Sequence, residues 1–336
     1  MVSLIAIAVL QQQPPIVPID RPGKDGRGRD PWVFRCIFED RTRMVILAMA
    51  KDWWMAFNPE TGAMHKIWQG KMDFRGKVWD FSQDNSRAQG KIWLASPNEI
   101  WRMSDTPPIA EGWTAEGVTP VKGGWRFSTL ESTLTSPAVD ASGWQRVFLA
   151  FDETSRKGRF HVEVSDAFDR RAPQWFESAT HVDNEDAWQW NFKRIEHPSA
   201  AMRVKVTTKV KGKQLRGLRL YGDRPSWFDG NGKQLEVRWE GYYLVGQTKS
   251  VVLHYRLALP SGAVADVRQT PELVPGGWRE SWAIDSLPMD QVLILRREGL
   301  SSGVRASGDV IQADGALKFS RRRENTVTYT IKEAGR

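Results

Sequence analysis

Cysteine is almost absent from this chain, since Cys36 is the single one among 336 residues. An internal disulfide needs two cysteines, and covalent attachment of c-type haem needs a Cys-x-x-Cys-His motif, so the sequence excludes both. Cys36 sits within the apolar run of residues 32–38, which is typical of a strand. We therefore expect an inert, buried thiol.

The familiar catalytic motifs are also missing. The five histidines include no HExxH pair, and the chain has no phosphate-binding loop, no dinucleotide fingerprint and no nucleophile elbow. The adjacent acids Asp152 and Glu153 would point to opposite faces of a strand, which makes them a poor acid–base pair. The sequence thus predicts a protein that is not an enzyme and has no cofactor. A glycoside-acting enzyme whose carboxylates meet only in the folded chain remains an alternative.

One acidic segment, residues 181–186, could hold a hard cation such as Ca²⁺ through carboxylate oxygens. Its candidate ligands are Asp183, Glu185 and Asp186. The plainer interpretation is an acidic surface loop before a strand, and we expect no bound metal.

No hydrophobic run reaches the roughly 20 residues that a membrane-spanning helix requires. Residues 2–10 are continuously apolar but too short, and no basic residue precedes them as in a signal peptide. They could be the end of a signal, a plug inserted into a membrane or partner, or a first strand. Proline and basic residues make positions 11–31 an extended arm. The resulting docking candidates are Leu4, Ile5, Ile7, Val9, Leu10, Arg21, Lys24, Arg27 and Arg29.

Helical periodicity is absent, and short alternating segments recur about every ten residues with turn signals between them, which predicts an all-β protein. Seventeen tryptophans lie in these segments. We expect two β-sandwich-like domains, a jelly roll at residues 110–224 inserted into a discontinuous β-domain. The halves of that domain would be residues 32–100 and 227–333, and residues 1–31 would form the arm.

Two stretches carry family resemblances. "LTSPAVD", "GRFHVEVS" and "LRGLRLYGD" resemble strands of galactose-binding-type jelly rolls. Residues 30–80 and 239–273 resemble a β-module of secreted bacterial proteins that also carry cytochrome c or quinoprotein dehydrogenase domains. The overall profile resembles membrane-extrinsic subunits of photosynthetic reaction centre–antenna complexes of Gemmatimonadota. These resemblances imply a periplasmic or otherwise extracytoplasmic protein, peripheral to the membrane.

The formal net charge is +8, which favours an acidic partner surface. Residues 203–219 contain seven basic residues and no acid, and they predict either a solvated hairpin face or a docking patch that includes Lys209, Lys211 and Lys213. Recognised nucleic-acid reader motifs are absent, so we expect no nucleic-acid partner.

Tryptophan at a surface is typical of interfaces and of ligand-stacking platforms. The pairs Trp53–Trp54 and Trp188–Trp190 are the candidates for such a role. The leading hypothesis is an accessory subunit that docks on a membrane redox complex, with reaction-centre and antenna subunits as partners and lipid contact through the N-terminus. The alternative is a secreted carbohydrate-binding protein with tryptophan platforms.

Overall fold

The computed structural model describes residues 31–39, 41–74, 86–96, 99–102, 112–122, 124–144, 146–154, 158–178, 188–246, 250–311, 315–320 and 325–332. Every regular element in these ranges is a β-strand, which confirms the prediction of an all-β fold. Among these residues no helix is long and apolar enough to cross a membrane.

The first strands form an antiparallel meander of five strands in the order β1-β2-β3-β4-β5. The turn between β3 and β4 begins at Asn58, whose side-chain oxygen accepts the backbone N–H of Glu60 at 3.0 Å. It ends at Gly62 in the left-handed region. The bounds of these five strands are β1 (Trp32–Phe38), β2 (Arg41–Ala50), β3 (Trp53–Asn58), β4 (Ala63–Asp73) and β5 (Arg87–Ala95). A short strand outside this sheet, β6 (Glu99–Arg102), follows.

The middle of the chain forms two antiparallel sheets. One has the path β14-β13-β16-β10-β7 with β11 beside β16, and the other has β15-β12-β17-β9-β8 with β6 beside β17. The new strands are β7 (Thr114–Glu116), β8 (Val118–Val121), β9 (Gly124–Phe127), β10 (Ser132–Thr135), β11 (Val139–Asp140), β12 (Arg146–Thr154), β13 (His161–Asp166), β14 (Gln174–Glu177), β15 (Trp188–Ile195), β16 (Ala201–Thr208) and β17 (Gln214–Asp223).

The last third forms a six-stranded antiparallel sheet, β19-β20-β21-β22-β26-β24, and a three-stranded sheet, β18-β23-β25. Their bounds are β18 (Trp227–Asp229), β19 (Glu236–Val245), β20 (Ser250–Ala258), β21 (Val264–Val274), β22 (Gly277–Asp285), β23 (Leu293–Leu295), β24 (Val304–Gly308), β25 (Leu317–Phe319) and β26 (Asn325–Ile331).

The largest hydrophobic core combines the early and the late strands. Phe57 and Trp93 from the first sheet are buried together with Tyr255 and Trp278 from the last. Its rings lie close together, with Phe57 at 5.7 Å from Tyr255 between centroids. Alternation along both sets of strands turns one apolar face of each towards this shared core. A segment near residue 50 thus packs against one more than 200 residues later in the chain.

A second core belongs to the two middle sheets alone. Phe127, Phe151 and Phe160 are fully buried in it beside valines of β13 and β16. Phe127 and Phe160 pack edge to face at 4.7 Å between centroids. This is the core of the jelly-roll-like sandwich.

A buried ion pair connects the first sheet with the jelly-roll-like sandwich. Arg41 at the start of β2 lies 2.9 Å from Asp223 at the end of β17, and both side chains are almost fully buried. The Arg41 guanidinium also lies 5.8 Å from the centre of the Tyr221 ring. The strand β6 pairs with β17, whereas the sequence predicted that residues 99 and 100 belong to the first half of the discontinuous domain.

Candidate functional site

The jelly-roll sandwich has one sheet whose outer face is polar. On β13 the buried Val162 and Val164 alternate with the partly exposed Glu163, and β16 alternates in the same way. On the edge strand β14, Phe176 packs against the core while Trp175 points outward and is 61% exposed. Strand period two therefore places Trp175 and the polar residues on one open surface.

Strand register aligns these residues in a single row. Trp175 is opposite Glu163, and Glu163 is opposite Lys205. Lys205 is opposite Thr135, which is opposite Thr114 at the other end of the sheet. Five strands spaced about 4.8 Å apart make a row of roughly 19 Å. We call this row of five residues the open face.

The neighbouring row is polar throughout. It runs through the paired positions Glu177, His161, Thr207, Thr133 and Glu116. His161 Nδ1 lies 3.4 Å from Glu177 Oε1. A hydrogen bond from Arg159 lowers the pKa of Glu177 below its usual value, so this carboxylate stays ionised at neutral pH. The open face thus lies beside further carboxylate and hydroxyl groups.

A second exposed aromatic residue follows β13. Phe168 is 67% exposed, and the Arg170 guanidinium lies 5.0 Å from its ring centre. Asp166 anchors this turn because its Oδ1 accepts the backbone N–H of Phe168 at 2.8 Å and the Nε–H of Arg170 at 3.2 Å. The turn leads into the edge strand that carries Trp175.

Several of the most deeply buried carboxylates of the described chain contact cations. Such contacts fix the charged form and orient it for a structural role rather than leaving it open to a substrate. The pairs are Asp152–Arg216 at 2.5 Å, Glu153–Lys213 at 2.8 Å, Asp223–Arg41 at 2.9 Å and Glu280–Arg297 at 2.8 Å. Each of these four acids therefore has a charged partner within the fold.

Two predicted docking residues lie in the interior, which corrects the sequence-based prediction. Lys213 is 1% exposed because its ammonium contacts Glu153 and donates to the carbonyl oxygens of Thr154 and Gly158 at 3.0 and 3.1 Å. Trp54 is buried, and its indole N–H donates to the Gly70 carbonyl at 3.1 Å. Neither side chain is available to a partner at the surface.

Other predicted residues have mixed positions. Trp53 is half-buried and stacks on Trp93 at 6.5 Å, so it is mostly a core residue. Lys209 and Lys211 are exposed near the hairpin between β16 and β17. The side chains of Trp188 and Trp190 lie outside the described residues.

The predicted N-terminal and metal-binding residues fall outside the described residues altogether. They are Leu4, Ile5, Ile7, Val9, Leu10, Arg21, Lys24, Arg27, Arg29, Asp183, Glu185 and Asp186. Within the part of the chain that the structure describes, no three His, Cys, Asp or Glu side chains converge as metal ligands.

No motif or spacing in the sequence singles out Trp175. Its segment, residues 174–177, has two adjacent aromatic residues, Trp175 and Phe176, between two polar ones. Alternation predicts that one of the two aromatics faces outward, but it does not predict which one. Only the pairing of β14 with β13 identifies Phe176 as the inward residue.

Comparison with known proteins gives no family assignment. No protein-family model matches the chain, and no curated protein does. Among solved structures, a family 6 carbohydrate-binding module aligns over 38% of this chain and 93% of its own, with 9% identity and a TM-score of 0.26.

A cycloisomaltooligosaccharide glucanotransferase from Paenibacillus sp., solved with cycloisomaltoheptaose, aligns over 70% of this chain with 8% identity and a TM-score of 0.26. The alignment covers 46% of the glucanotransferase chain, so this protein matches less than half of that enzyme's length.

Proposed function

We propose that this chain is a carbohydrate-binding protein and that the open face is its binding surface. The observation that carries the proposal is Trp175, a large aromatic side chain 61% exposed on an edge strand, in register with Glu163, Lys205 and two threonines. A tryptophan so exposed loses the free energy of burial that would stabilise it in a core. A ligand that covers its ring recovers that free energy.

The chemistry of the row suits a sugar chain. The apolar C–H face of a pyranose ring packs on an indole, while its hydroxyl groups form hydrogen bonds around the rim. The Glu163 carboxylate accepts such bonds, the Lys205 ammonium donates them, and the Thr135 and Thr114 hydroxyls do both. A row of roughly 19 Å is longer than one sugar ring, so the proposed ligand is an oligosaccharide segment.

The expected affinity is modest. A single aromatic contact contributes about 1 kcal/mol, and each exposed hydrogen bond contributes about the same. A handful of such contacts totals roughly 4–6 kcal/mol, which corresponds to a dissociation constant between about 1 mM and 50 μM. Multivalent presentation of the glycan would be needed to detect binding in a screen.

The proposal is tested by screening the full chain against immobilised oligosaccharides and then measuring affinity for the best ligand by calorimetry. Replacing Trp175→Ala should reduce the affinity at least tenfold, because the stacking platform is lost. Trp32→Ala is the matched control, since Trp32 is also a partly exposed tryptophan but lies on β1 of the first sheet. Absence of any bound glycan, or equal loss in both variants, would refute the proposal.

A second candidate is the accessory subunit that docks on a membrane redox complex, with reaction-centre and antenna subunits as suggested partners. A half-exposed aromatic cluster favours it. Trp32 lies 4.7 Å from Phe34 and 6.4 Å from Phe74 between ring centroids, and Phe34 lies 5.6 Å from Phe74. Contiguous exposed aromatic groups are typical of protein interfaces and membrane-interface belts.

The edge strand β19 supports the same candidate. Four consecutive apolar residues, 242–245, are each at least 40% exposed where β19 forms the edge of the last sheet. A long apolar edge is open to pairing with a strand of another chain. This second proposal places the protein outside the cytoplasm, on the membrane surface.

Co-purification separates the two candidates. Native membranes solubilised in mild detergent should release this chain together with a pigment–protein complex, and Trp32→Ala with Phe74→Ala should weaken that association. Release of the chain alone in low salt would contradict the accessory-subunit proposal. The carbohydrate proposal predicts that the same double variant retains its glycan affinity.

A further inference from the structure

A recess lies where the first sheet meets the end of the jelly-roll sandwich. Its volume is about 60 Å³, and its inner wall includes Arg41, Asn58 and His65. Arg224, Arg296 and Glu298 line its mouth. The recess uses none of the residues of the open face.

A wider cleft continues outward from the same mouth. Its volume is about 420 Å³, and it shares Arg224, Arg296 and Glu298 with the recess. Phe228 lines the wider cleft, and the Arg296 guanidinium lies 4.1 Å from the Phe228 ring centre. Clefts between packed units are a common location for small-molecule sites.

Two buried polar groups of the recess lack protein partners. His65 and Arg41 are each 3% exposed, and His65 Nε2 and one terminal nitrogen of Arg41, NH1, have no hydrogen-bond partner among the described residues. Leaving such a buried group unsatisfied costs about 1–3 kcal/mol. Two of them on the wall of one recess indicate a place built for a bound group.

The other two nitrogens of the Arg41 guanidinium have contacts within the protein. Its Nε lies 2.9 Å from the Asp223 carboxylate, and its other terminal nitrogen donates to the Gly222 carbonyl at 3.4 Å. The Asp223 carboxylate thus occupies one side of the planar guanidinium. A guanidinium fork can hold a second oxyanion on its open side.

The electrostatic environment of the recess also favours an anion. Burial, together with the positive charges of Arg41 and Lys66, holds the pKa of His65 well below its usual value. His65 is therefore neutral at physiological pH, and its Nε2 can carry the proton and donate a hydrogen bond. Arg224 and Arg296 add positive charge at the mouth, where Glu298 is the opposing acid.

We propose that this recess binds a small oxyanion, a carboxylate or phosphate group, through the free Arg41 donor and His65 Nε2, with Arg296 closing on the ligand at the mouth. A volume of about 60 Å³ admits one such group and excludes a larger body. The rest of a carboxylated or phosphorylated small molecule would extend into the wider cleft over Phe228. This site is independent of the open face and of the proposed carbohydrate function.

The test uses the full chain with sodium phosphate, sodium acetate and sodium chloride as separate probes at equal ionic strength. Binding is followed by calorimetry and by the imidazole NMR signals of the five histidines, with the His65 signal assigned from His65→Asn. We expect saturable binding of phosphate or acetate, a shift of the His65 signal, and no response to chloride. The oxyanion that shows saturable binding identifies the ligand class.

Two arginine variants complete the test. Arg296→Gln should lower the affinity for the oxyanion at least fivefold. The fold should be retained, because Arg296 is exposed at the mouth. Arg305→Gln removes an equally exposed arginine on β24 and should leave the affinity unchanged. The proposal is overturned if neither oxyanion shows saturable binding, if chloride binds as well as the oxyanions do, or if both variants weaken binding alike. The recess would then hold water alone.

Discussion

The indole N–H of Trp227 donates to the carbonyl oxygen of Gly62 at 2.8 Å, a hydrogen bond between residues 165 positions apart. Gly62 closes the β3–β4 turn with φ of 64°, and a side chain added there would meet Trp227 Nε1 and Val237 at 3.1 Å. The β3–β4 turn and β18 therefore meet at a point where only glycine fits without strain.

Replacing Gly62→Ala should lower the free energy of unfolding by about 2–4 kcal/mol, because strain in the left-handed region adds to the crowding against Trp227. Urea unfolding followed by tryptophan fluorescence measures the loss. Gly232→Ala is the matched control, since Gly232 has φ of 79° but no neighbour within 4 Å. Equal losses in the two variants would show that packing around Gly62 contributes nothing to stability.

Removing only the cation of the buried Lys213–Glu153 pair should destabilise the protein, whereas replacing both partners should be better tolerated. Lys213→Met leaves the Glu153 carboxylate buried without its cation and should cost about 3–5 kcal/mol. Adding Glu153→Gln should recover a large part of this loss, because the Asn191 amide that donates to Glu153 at 2.9 Å can still donate to the new side-chain oxygen.

Thermal and urea unfolding of the single and double variants measure this coupling. Lys211→Met provides the control, since Lys211 is exposed on the same hairpin and should change stability by less than about 0.5 kcal/mol. A Lys213→Met variant as stable as the wild type would contradict the buried-pair account.

The free energy of unfolding should fall as the pH drops below about 6.5, because His65 is protonated more readily in the unfolded chain than in the folded one. The unfolded chain binds a proton at His65 near the ordinary pKa of 6.5, whereas the folded chain, whose His65 pKa is well below that value, does not. Below pH 6.5 the unfolded state therefore gains protons that the folded state lacks, at a cost of about 1.4 kcal/mol per pH unit.

Urea unfolding from pH 7.5 to 5 in buffers free of phosphate and carboxylate isolates this effect. The free energy of unfolding of a His65→Gln variant should depend less steeply on pH than that of the wild type, by about 1.4 kcal/mol per pH unit. Parallel curves for the two proteins would mean that His65 takes up its proton in the folded state.

The Cys36 thiol should be unreactive in the folded protein. Burial raises its pKa to about 12, so about one thiol in ten thousand is ionised at pH 8. An aromatic disulfide reagent at pH 8 should label Cys36 only at the rate of unfolding, and within seconds in guanidinium chloride. Rapid labelling without denaturant would contradict the buried position of this residue in β1.

Much of the architecture follows from local sequence. Alternation along segments such as residues 203–206 predicts strands because neighbouring side chains must face core and solvent in turn. The turn at Asn58–Pro59–Glu60 follows from residue types alone. The pairing of β6 with β17 could not be predicted, because strand partners are selected by long-range packing rather than by local pattern.

The candidate sites could be predicted from the sequence even less well than the fold. A basic run predicted Lys213 as a surface residue, yet the fold inserts it between Glu153 and two backbone carbonyls. The recess at Arg41 and His65 combines residues from separate strands, so no local motif marks it. The outward position of Trp175 follows only from the strand register, which shows which face of β14 is exposed.

The most direct test of the carbohydrate proposal is a titration of the ¹⁵N-labelled chain with its best-binding oligosaccharide, following indole and backbone amide NMR signals. The Trp175 indole signal, assigned from Trp175→Phe, should shift saturably together with the amides of Thr135 and Thr114, while the Trp32 indole stays unchanged. Shifts confined to Trp32 and its neighbours, or no saturable shift at the open face, would contradict the account.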